Sequence, residues 1–189
     1  MPEANPGPGR PDADECLPYY FNYVDLVPDG DVMTRLEQQI VETARYLEAF
    51  TPEQAARREA PGEWNVVEIV GHLADTERVF GYRALTIARA HPVMWSSVEF
   101  PDYAAAAGYG VRPLAPVVAE LVAVRAAFVT FLRGLDPAAW QRRAPEGWTL
   151  RSVRAVAWCM AGHELHHLAD VRRQHPEAIG SGRASAARR

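Results

Sequence analysis

The sequence contains little cysteine, since Cys16 and Cys159 are the only two in 189 residues. Two thiols cannot form the disulfide framework of a small secreted protein or a cysteine-rich zinc module, so we expect a reduced, cytoplasmic protein. Basic residues are not in excess either, because 20 Lys plus Arg stand against 24 Asp plus Glu and the net charge is −4. This balance argues against the basic surface of nucleic-acid-binding proteins, so we expect no nucleic-acid partner.

Targeting and membrane-spanning patterns are also missing. The N-terminal residues show no basic segment followed by an apolar stretch, so we predict no signal peptide. The most apolar stretch covers residues 114–132, but it includes Glu120 and Arg125. A membrane-spanning helix needs ~20 nearly uncharged residues, so we predict an amphipathic helix here and no association with a membrane.

Composition divides the chain into three parts. Residues 1 to about 15 are rich in proline, glycine and acidic side chains, which favours disorder. The chain after Pro176 again has few large apolar residues. We therefore predict a disordered N-terminal tail over residues 1–17, one domain over residues 18–176 and a flexible C-terminal tail over residues 177–189.

Hydrophobic periodicity predicts four helices in the central part. Apolar residues recur at intervals of three and four over residues 32–50, 66–87, 117–135 and 153–171. No segment alternates apolar and polar residues for long enough to predict a strand. The predicted fold class is all-α, and the predicted architecture is a four-helix bundle.

An internal repeat indicates how the helices are connected. The segment LEAFTPEQAARREAPGEWNVVEI (47–69) resembles LRGLDPAAWQRRAPEGWTLRSV (132–153), and in both copies a cap-proline pair is followed by a tryptophan that precedes a helix. Asn65 is the predicted N-cap of the second helix, and Thr149 that of the fourth. The chain is thus two similar helix hairpins, joined by a long stretch over residues 91–113. A long crossover lets the second and third helices run parallel, so the predicted order is up-down-down-up.

Three histidines are expected to meet in this topology. His163 and His167 are four residues apart in the apolar stripe of the fourth helix, so both side chains point inward from one face. His72 lies early on the second helix, and an antiparallel pairing of these two helices brings it beside the late part of the fourth. Three imidazoles suit Zn²⁺, Ni²⁺ and neighbouring ions, and three ligands leave a position open for water or substrate.

Other polar residues near this pattern allow alternatives. The string HELHH matches the zincin motif, in which Glu164 would act as general base, but Asp170 and Arg173 stand where the metzincin continuation needs Gly and His. Glu164 remains a candidate catalytic residue that moves a proton or orients a ligand, and the alternative is a solvated helix face. Glu77 interrupts an apolar stripe and needs a partner or water if it is buried. His166 turns away from the pair and is a weaker candidate ligand.

The segments PGEWNVVEIVGHLADTE (61–77), GYRALTIAR (81–89) and MAGHELHHLADVRRQ (160–174) resemble the DinB-like family of damage-inducible bacterial proteins. The resemblance covers about residues 19–174, and its most specific parts are the Gly-His of the second helix and the H-x-x-HH of the fourth. It implies a four-helix bundle with a long crossover and a metal site whose ligands would be His72, His163 and His167.

The resemblance also implies a set of possible activities. Family members include metal-dependent S-transferases that use bacillithiol or another low-molecular-weight thiol, and many others are described as metal-dependent hydrolases. Homodimers are common in the family. The first hypothesis is therefore a thiol S-transferase acting on a small molecule, with a zinc or nickel ion as cofactor. The alternatives are a hydrolase that activates water and a non-catalytic, metal-binding stress-response protein.

Overall fold

The structure is a computed structural model that describes residues 8–91 and 100–176. Within these ranges the chain forms helices and no β-strand, with two isolated bridges as its only β pairing, so the predicted all-α class is confirmed. The eight α-helices of the described ranges are α1 (Pro18–Val24), α2 (Val32–Leu47), α3 (Pro52–Ala56), α4 (Val66–Ala88), α5 (Phe100–Ala107), α6 (Leu114–Arg133), α7 (Pro137–Gln141) and α8 (Val153–Gln174).

The four long helices α2, α4, α6 and α8 form the bundle, in which α4 and α2 each pack against α6 and α8. Val66 at the start of α4 shares a core cluster with Val171 at the end of α8. Phe80, late in α4, shares a second cluster with Val156, early in α8. α4 and α8 therefore run antiparallel, as predicted.

The same two clusters show the directions of α2 and α6. Leu121, early in α6, lies in the cluster of early α4 residues, and Leu132 lies in the cluster of late α4 residues. α6 is therefore parallel to α4. Leu36, early in α2, belongs with late α4, and Leu47 belongs with early α4, so α2 is antiparallel to α4. The predicted up-down-down-up bundle is confirmed.

α6 is long and apolar enough, by length and composition, to cross a membrane, and it is the one described helix of this kind. In the structure it packs against α2 and α4 in the bundle. Its Arg125 is buried and forms ion pairs with carboxylates of α4 and α8. Six residues of α6 are buried and supply part of the core, while 28% of its most apolar stretch lies inside the structure, so much of its apolar surface is not covered by the bundle.

Capping confirms one predicted helix start and corrects another. Asn65 caps α4, since its side chain accepts from the Glu68 backbone N–H at 3.0 Å and Glu68 accepts from the Asn65 backbone N–H at 2.8 Å. The fourth helix of the bundle begins at Val153 and is capped by Ser152, so the prediction of Thr149 as its cap is wrong. The Thr149 carbonyl instead accepts a bond of 2.9 Å from the Leu17 N–H. This pairing keeps residues 149–152 out of the helix.

The N-terminal segment over residues 8–17 is packed on the bundle, so the predicted disordered tail is wrong for these residues. Arg10 lies over the Trp158 ring at 4.7 Å and donates to the Val24 carbonyl at 2.9 Å. Glu15 is fully buried and accepts hydrogen bonds from Ser152 and Arg154 at the start of α8. Long-range ion pairs of this kind offset a composition that favours disorder. Residues 1–7 and the predicted C-terminal tail over 177–189 lie outside the described residues.

The predicted crossover over residues 91–113 contains α5 and a 3₁₀ turn at Tyr109–Val111, while residues 92–99 lie outside the described part. Tyr109 is buried against α4, where a Cβ added to Gly71 would overlap its ring. Its hydroxyl donates to Asp75 at 3.1 Å. The crossover therefore packs on the same part of α4 that carries His72.

Candidate metal centre

The structure brings His72, His163 and His167 together inside the bundle. The Nε2 atom of His163 lies 3.2 Å from that of His72 and 3.1 Å from that of His167. All three residues offer a ring nitrogen within 4.8 Å of the others. His72 and His163 are buried, and His167 is half-buried. The three residues singled out from helix phase and antiparallel depth thus form one cluster with one partly accessible side.

The two helices that carry these histidines are held close to their neighbours by glycines. Gly162 precedes His163 in α8, and a Cβ added to it would overlap the carbonyl of Tyr23 in α1. Gly71 precedes His72 in α4 and lies against the Tyr109 ring. Each Gly-His pair therefore combines an inward imidazole with a close approach of another segment of the chain.

The cluster has the donor chemistry that a divalent ion requires. Burial lowers the pKa of His72 to about 4, and burial together with the neighbouring histidines lowers that of His167 to about 3. The pKa of His163 is also well below its usual range, mainly because of burial. The imidazoles are thus neutral near pH 7 and carry a lone pair on one ring nitrogen.

The spacing of these nitrogens also fits such an ion. A tetrahedral ion with metal–nitrogen bonds of ~2.0–2.1 Å separates its ligand nitrogens by ~3.3 Å. The Nε2 separations of 3.2 and 3.1 Å are close to this value. In each close pair, at most one imidazole can donate a hydrogen bond to the other. A shared cation therefore satisfies the lone pairs of the three Nε2 atoms better than hydrogen bonds among the rings.

Aromatic side chains surround the cluster and orient its rings. Trp64 lies against His72 with ring centroids 4.9 Å apart, and the edge of Tyr23 meets His163 at 5.2 Å. The Thr76 hydroxyl lies 3.4 Å from Nδ1 of His72, which leaves Nε2 as the atom that points to the other histidines. A partner on the second ring nitrogen is the usual way to fix the orientation of a ligating imidazole.

The remaining histidines described lie outside the cluster of three. His166 is exposed, with its Nε2 3.8 Å from a carboxylate oxygen of Asp170 and its ring beside Tyr23. His166, His167 and Asp170 form a second, more exposed group that shares His167 with the first. His175 is buried at the end of α8, where its Nδ1 lies 2.9 Å from the Arg57 guanidinium.

Glu164 and Glu77 are buried and share one partner, Arg125. Arg125 forms ion pairs with Glu77 at 2.5 Å and with Glu164 at 2.9 Å. The other oxygen of Glu164 accepts from the Thr43 hydroxyl. The alternative of a solvated helix face for Glu164 is therefore wrong, whereas the catalytic role stays a prediction. Since its oxygens are taken by Arg125 and Thr43, a proton-moving role would require these contacts to open.

The sequence pattern points to Glu77 and Glu164, whereas Arg125 was not predicted as part of the site. Arg125 lies four residues after Leu121 and three before Phe128, within the apolar stripe of α6. A buried position for it was therefore readable from the spacing. Two opposite charges in the stripes of neighbouring helices are the signal of a buried ion pair, because neither could stay buried alone.

Comparisons with known proteins agree with this fold. The model of the DinB superfamily matches residues 35–171. The solved structure of YfiT from Bacillus subtilis, described as "a probable metal-dependent hydrolase with an unusual four-helix bundle topology", is similar with a TM-score of 0.68. It is 17% identical, and the match covers 77% of this chain and 85% of that one, so the likeness shows the fold. Among curated proteins, none matches the sequence.

Proposed function

Because this chain belongs to the DinB superfamily, we propose that it binds a divalent metal ion through His72, His163 and His167 and uses it in enzymatic chemistry on a small molecule. The observation that carries the proposal is the convergence of three buried Nε2 atoms, two pairs of which are 3.2 and 3.1 Å apart. Three neutral ligands leave the full charge of the ion uncompensated and a coordination position open. Zinc and nickel are the ions that best fit three imidazoles.

The proposed reaction is S-transfer from a low-molecular-weight thiol, such as bacillithiol, to an electrophile. A divalent ion bound here would act as a Lewis acid and lower the pKa of a thiol. The sulfur would form a bond to an electrophilic carbon, the leaving group would depart with its electron pair, and the thiol proton would pass to solvent. A thiol already titrates near pH 8.5, so this reaction needs no buried general base. A reaction without a general base suits this site, because its buried carboxylates Glu77 and Glu164 are bound to Arg125.

The chain's own residues would orient the substrates. His167 is half-buried and His166 beside it is exposed, so the accessible side of the cluster lies at this part of α8. Tyr23 borders both His163 and His166 and offers an aromatic wall there. Aromatic side chains of this kind exclude water from one side of a bound small molecule, while polar groups of the pocket bind its other side.

The test starts with elemental analysis of untagged protein, which should contain a near-stoichiometric first-row ion. Consumption of a chromogenic aryl halide is then followed with thiol, with metal, with both and with neither. We expect turnover only with both, and its loss in His163→Ala. His91→Ala is the matched control, since His91 is an exposed histidine at the far end of α4. Turnover that needs no thiol would refute the transferase.

Hydrolysis of a small molecule is the second candidate, and the His166–Asp170 group favours it. These two side chains lie next to His167 at the accessible side, where His166 could accept a proton from water. Likeness to YfiT, with the description quoted above, points the same way. This alternative predicts that the protein cleaves an ester or amide substrate without added thiol, and that the cleavage rate falls strongly in His166→Gln. If such cleavage is unchanged in His166→Gln, this pair is not the base.

Two further properties are proposed on family grounds. We expect a cytoplasmic homodimer. Sedimentation equilibrium of the purified chain measures the mass of the assembly independently of its shape and so tests the dimer. A non-catalytic metal-binding role in the stress response is the remaining alternative. It predicts bound metal but no turnover of the aryl halide and no cleavage of the ester or amide substrate.

A further inference from the structure

Three charged side chains meet in the interior of the bundle, away from solvent. Arg125 of α6 has 2% of its side chain exposed, and its partners Glu77 of α4 and Glu164 of α8 have 3% and 1%. The guanidinium forms ion pairs with both carboxylates, at 2.5 and 2.9 Å. We call these three residues the buried charge network. Charges this deep are retained only when each is paired, because an unpaired buried charge is strongly destabilising.

The network joins all four long helices. Besides its two carboxylate partners on α4 and α8, Arg125 donates to the Leu36 carbonyl of α2 at 3.2 Å. Thr43 of α2 donates to Glu164. A further buried bond of 3.0 Å runs from Gln39 of α2 to the Ala161 carbonyl of α8. The middle of α8 is therefore fixed by polar contacts from α2 and α6, on either side of residue 163.

The same stretch of α8 carries the histidine cluster. Glu164 follows His163 directly, and a helix turns by about 100° per residue. The carboxylate of Glu164 thus holds the helix from one side while the imidazole of His163 points to another. On α4, Glu77 lies just over one turn after His72. Arg125 consequently binds both helices that supply the histidines, close to the histidines themselves.

We propose that Arg125 is a positioning residue for the candidate metal centre: by binding Glu77 and Glu164 at once, it sets the rotation and depth of α8 relative to α4 that bring His163 and His167 to His72. This proposal rests on the proposed metal site. It does not give Arg125 a contact with the ion or with substrate. The effect passes through the placement of the helices.

Stability alone is a poor reason for such a network. Replacing a whole buried ion network by well-packed neutral residues often leaves stability unchanged or increases it, whereas removing one partner destabilises strongly. A metal centre, in contrast, requires its ligands to lie within about 0.2 Å of the ideal distances. A planar guanidinium that contacts one carboxylate through Nε and another through Nη2 constrains two helices at once, which apolar packing does less strictly.

The test compares cobalt(II) binding, followed by visible d–d absorption, in wild type and four variants. Arg125→Met removes the central charge. Arg125→Lys keeps the charge but loses the planar set of guanidinium N–H donors that reaches both carboxylates. The triple variant Glu77→Gln/Arg125→Met/Glu164→Gln removes all three charges, so it stays foldable if Arg125→Met alone does not. Arg78→Met is the matched control, because Arg78 joins α4 to α6 through Glu120 at 2.8 Å on the exposed surface.

We expect folded Arg125→Met, or the triple variant in its place, to bind cobalt ~10–100-fold more weakly, the range typical of groups that orient metal ligands. The spectrum should change from the intense bands of four-coordinate cobalt towards weaker ones, Arg125→Lys should fall between, and Arg78→Met should match wild type. A folded Arg125→Met or triple variant with wild-type affinity and spectrum would overturn the proposal. Wild type without any cobalt spectrum would instead refute the proposed metal site, and the positioning role with it.

Discussion

Gly162 offers a sharp test of how α1 and α8 pack beside the histidine cluster. It lies inside α8, where alanine is normally the better residue by ~0.5–1 kcal/mol because glycine loses more backbone entropy on folding. Here an added Cβ would overlap the carbonyl carbon and oxygen of Tyr23 and lie 3.0 Å from its Cα. These are backbone atoms of α1, so no rotation of a side chain relieves the overlap.

The expected effect of Gly162→Ala follows from these two opposing terms. Overpacking a well-packed interior costs typically ~1–3 kcal/mol, and a clash with backbone falls in the upper part of that range. Subtracting the helix-propensity gain of ~0.5–1 kcal/mol from ~2–3 kcal/mol leaves a net destabilisation of about 1–2.5 kcal/mol. A displacement of α1 would also move the Tyr23 ring away from the His163 ring, which it contacts at 5.2 Å. We therefore expect weaker metal binding in addition to lower stability.

The assay is urea unfolding followed by far-UV circular dichroism, with chelator present so that bound metal does not contribute to stability. Gly81→Ala is the matched control, since Gly81 also lies inside a long helix but an added Cβ would meet only a Phe128 ring atom at 3.6 Å. It should stabilise the protein by ~0.5–1 kcal/mol. The reasoning is refuted if Gly162→Ala is as stable as wild type, or if the two glycine variants shift stability in the same direction.

Three further predictions concern the metal and the start of α8. Metal should raise the free energy of unfolding of wild type by ~2.7 kcal/mol at one hundred times its dissociation constant, and chelator should remove this gain; His72→Ala should show no such gain by thermal unfolding. Ser152→Ala should cost at least ~1 kcal/mol in urea unfolding, because the side chain caps α8 through the Ala155 N–H at 3.0 Å and also donates to the buried Glu15 carboxylate. A loss below the error of the fit would contradict the capping role. Burial raises the pKa of Glu15, but hydrogen bonds from Arg154 and Ser152 outweigh it and lower the pKa below 4.5. Because the pKa of Glu15 is lower in the folded state, its carboxylate stabilises the fold above the unfolded pKa, and this contribution is lost as the pH falls through the folded pKa. Glu15→Gln should therefore reduce the loss of stability at acid pH in a plot of unfolding free energy against pH. An unchanged acid side of this plot would contradict the prediction.

The ligand candidates could be read from the sequence because they follow helical periodicity. His163 and His167 share one face of α8 by their spacing alone, and the long stretch before α6 implies the antiparallel pairing of α4 with α8 that brings in His72. Both inferences rest on backbone geometry, which differs little from one helix to another. The N-cap of α4 at Asn65 was also predicted correctly, because it depends on residue type at a local helix start.

The start of α8 and the N-terminal segment were mispredicted because local signals compete with distant ones. Thr149 is a good cap by residue type, yet its backbone is paired with Leu17, more than a hundred residues away in sequence. Glu15 lies in a stretch whose composition favours disorder, and contacts with the distant residues Arg143, Ser152 and Arg154 hold it in the interior. Neither pairing has a periodicity or a fixed spacing that a single sequence reveals.

The sequence by itself therefore determined the all-α class, the two hairpins, their up-down-down-up order and the three histidines on facing helices. These features depend on periods of three and four residues, on an internal repeat and on loop length, all of which can be read along the chain. Only the tertiary structure decided that Nε2 of His163 lies within hydrogen-bond distance of Nε2 of His72 and of His167. It also decided that Glu164 binds Arg125 rather than solvent. Rotation and depth of packed helices are decided by side chains from all of them together, so the geometry of the site is a property of the whole bundle.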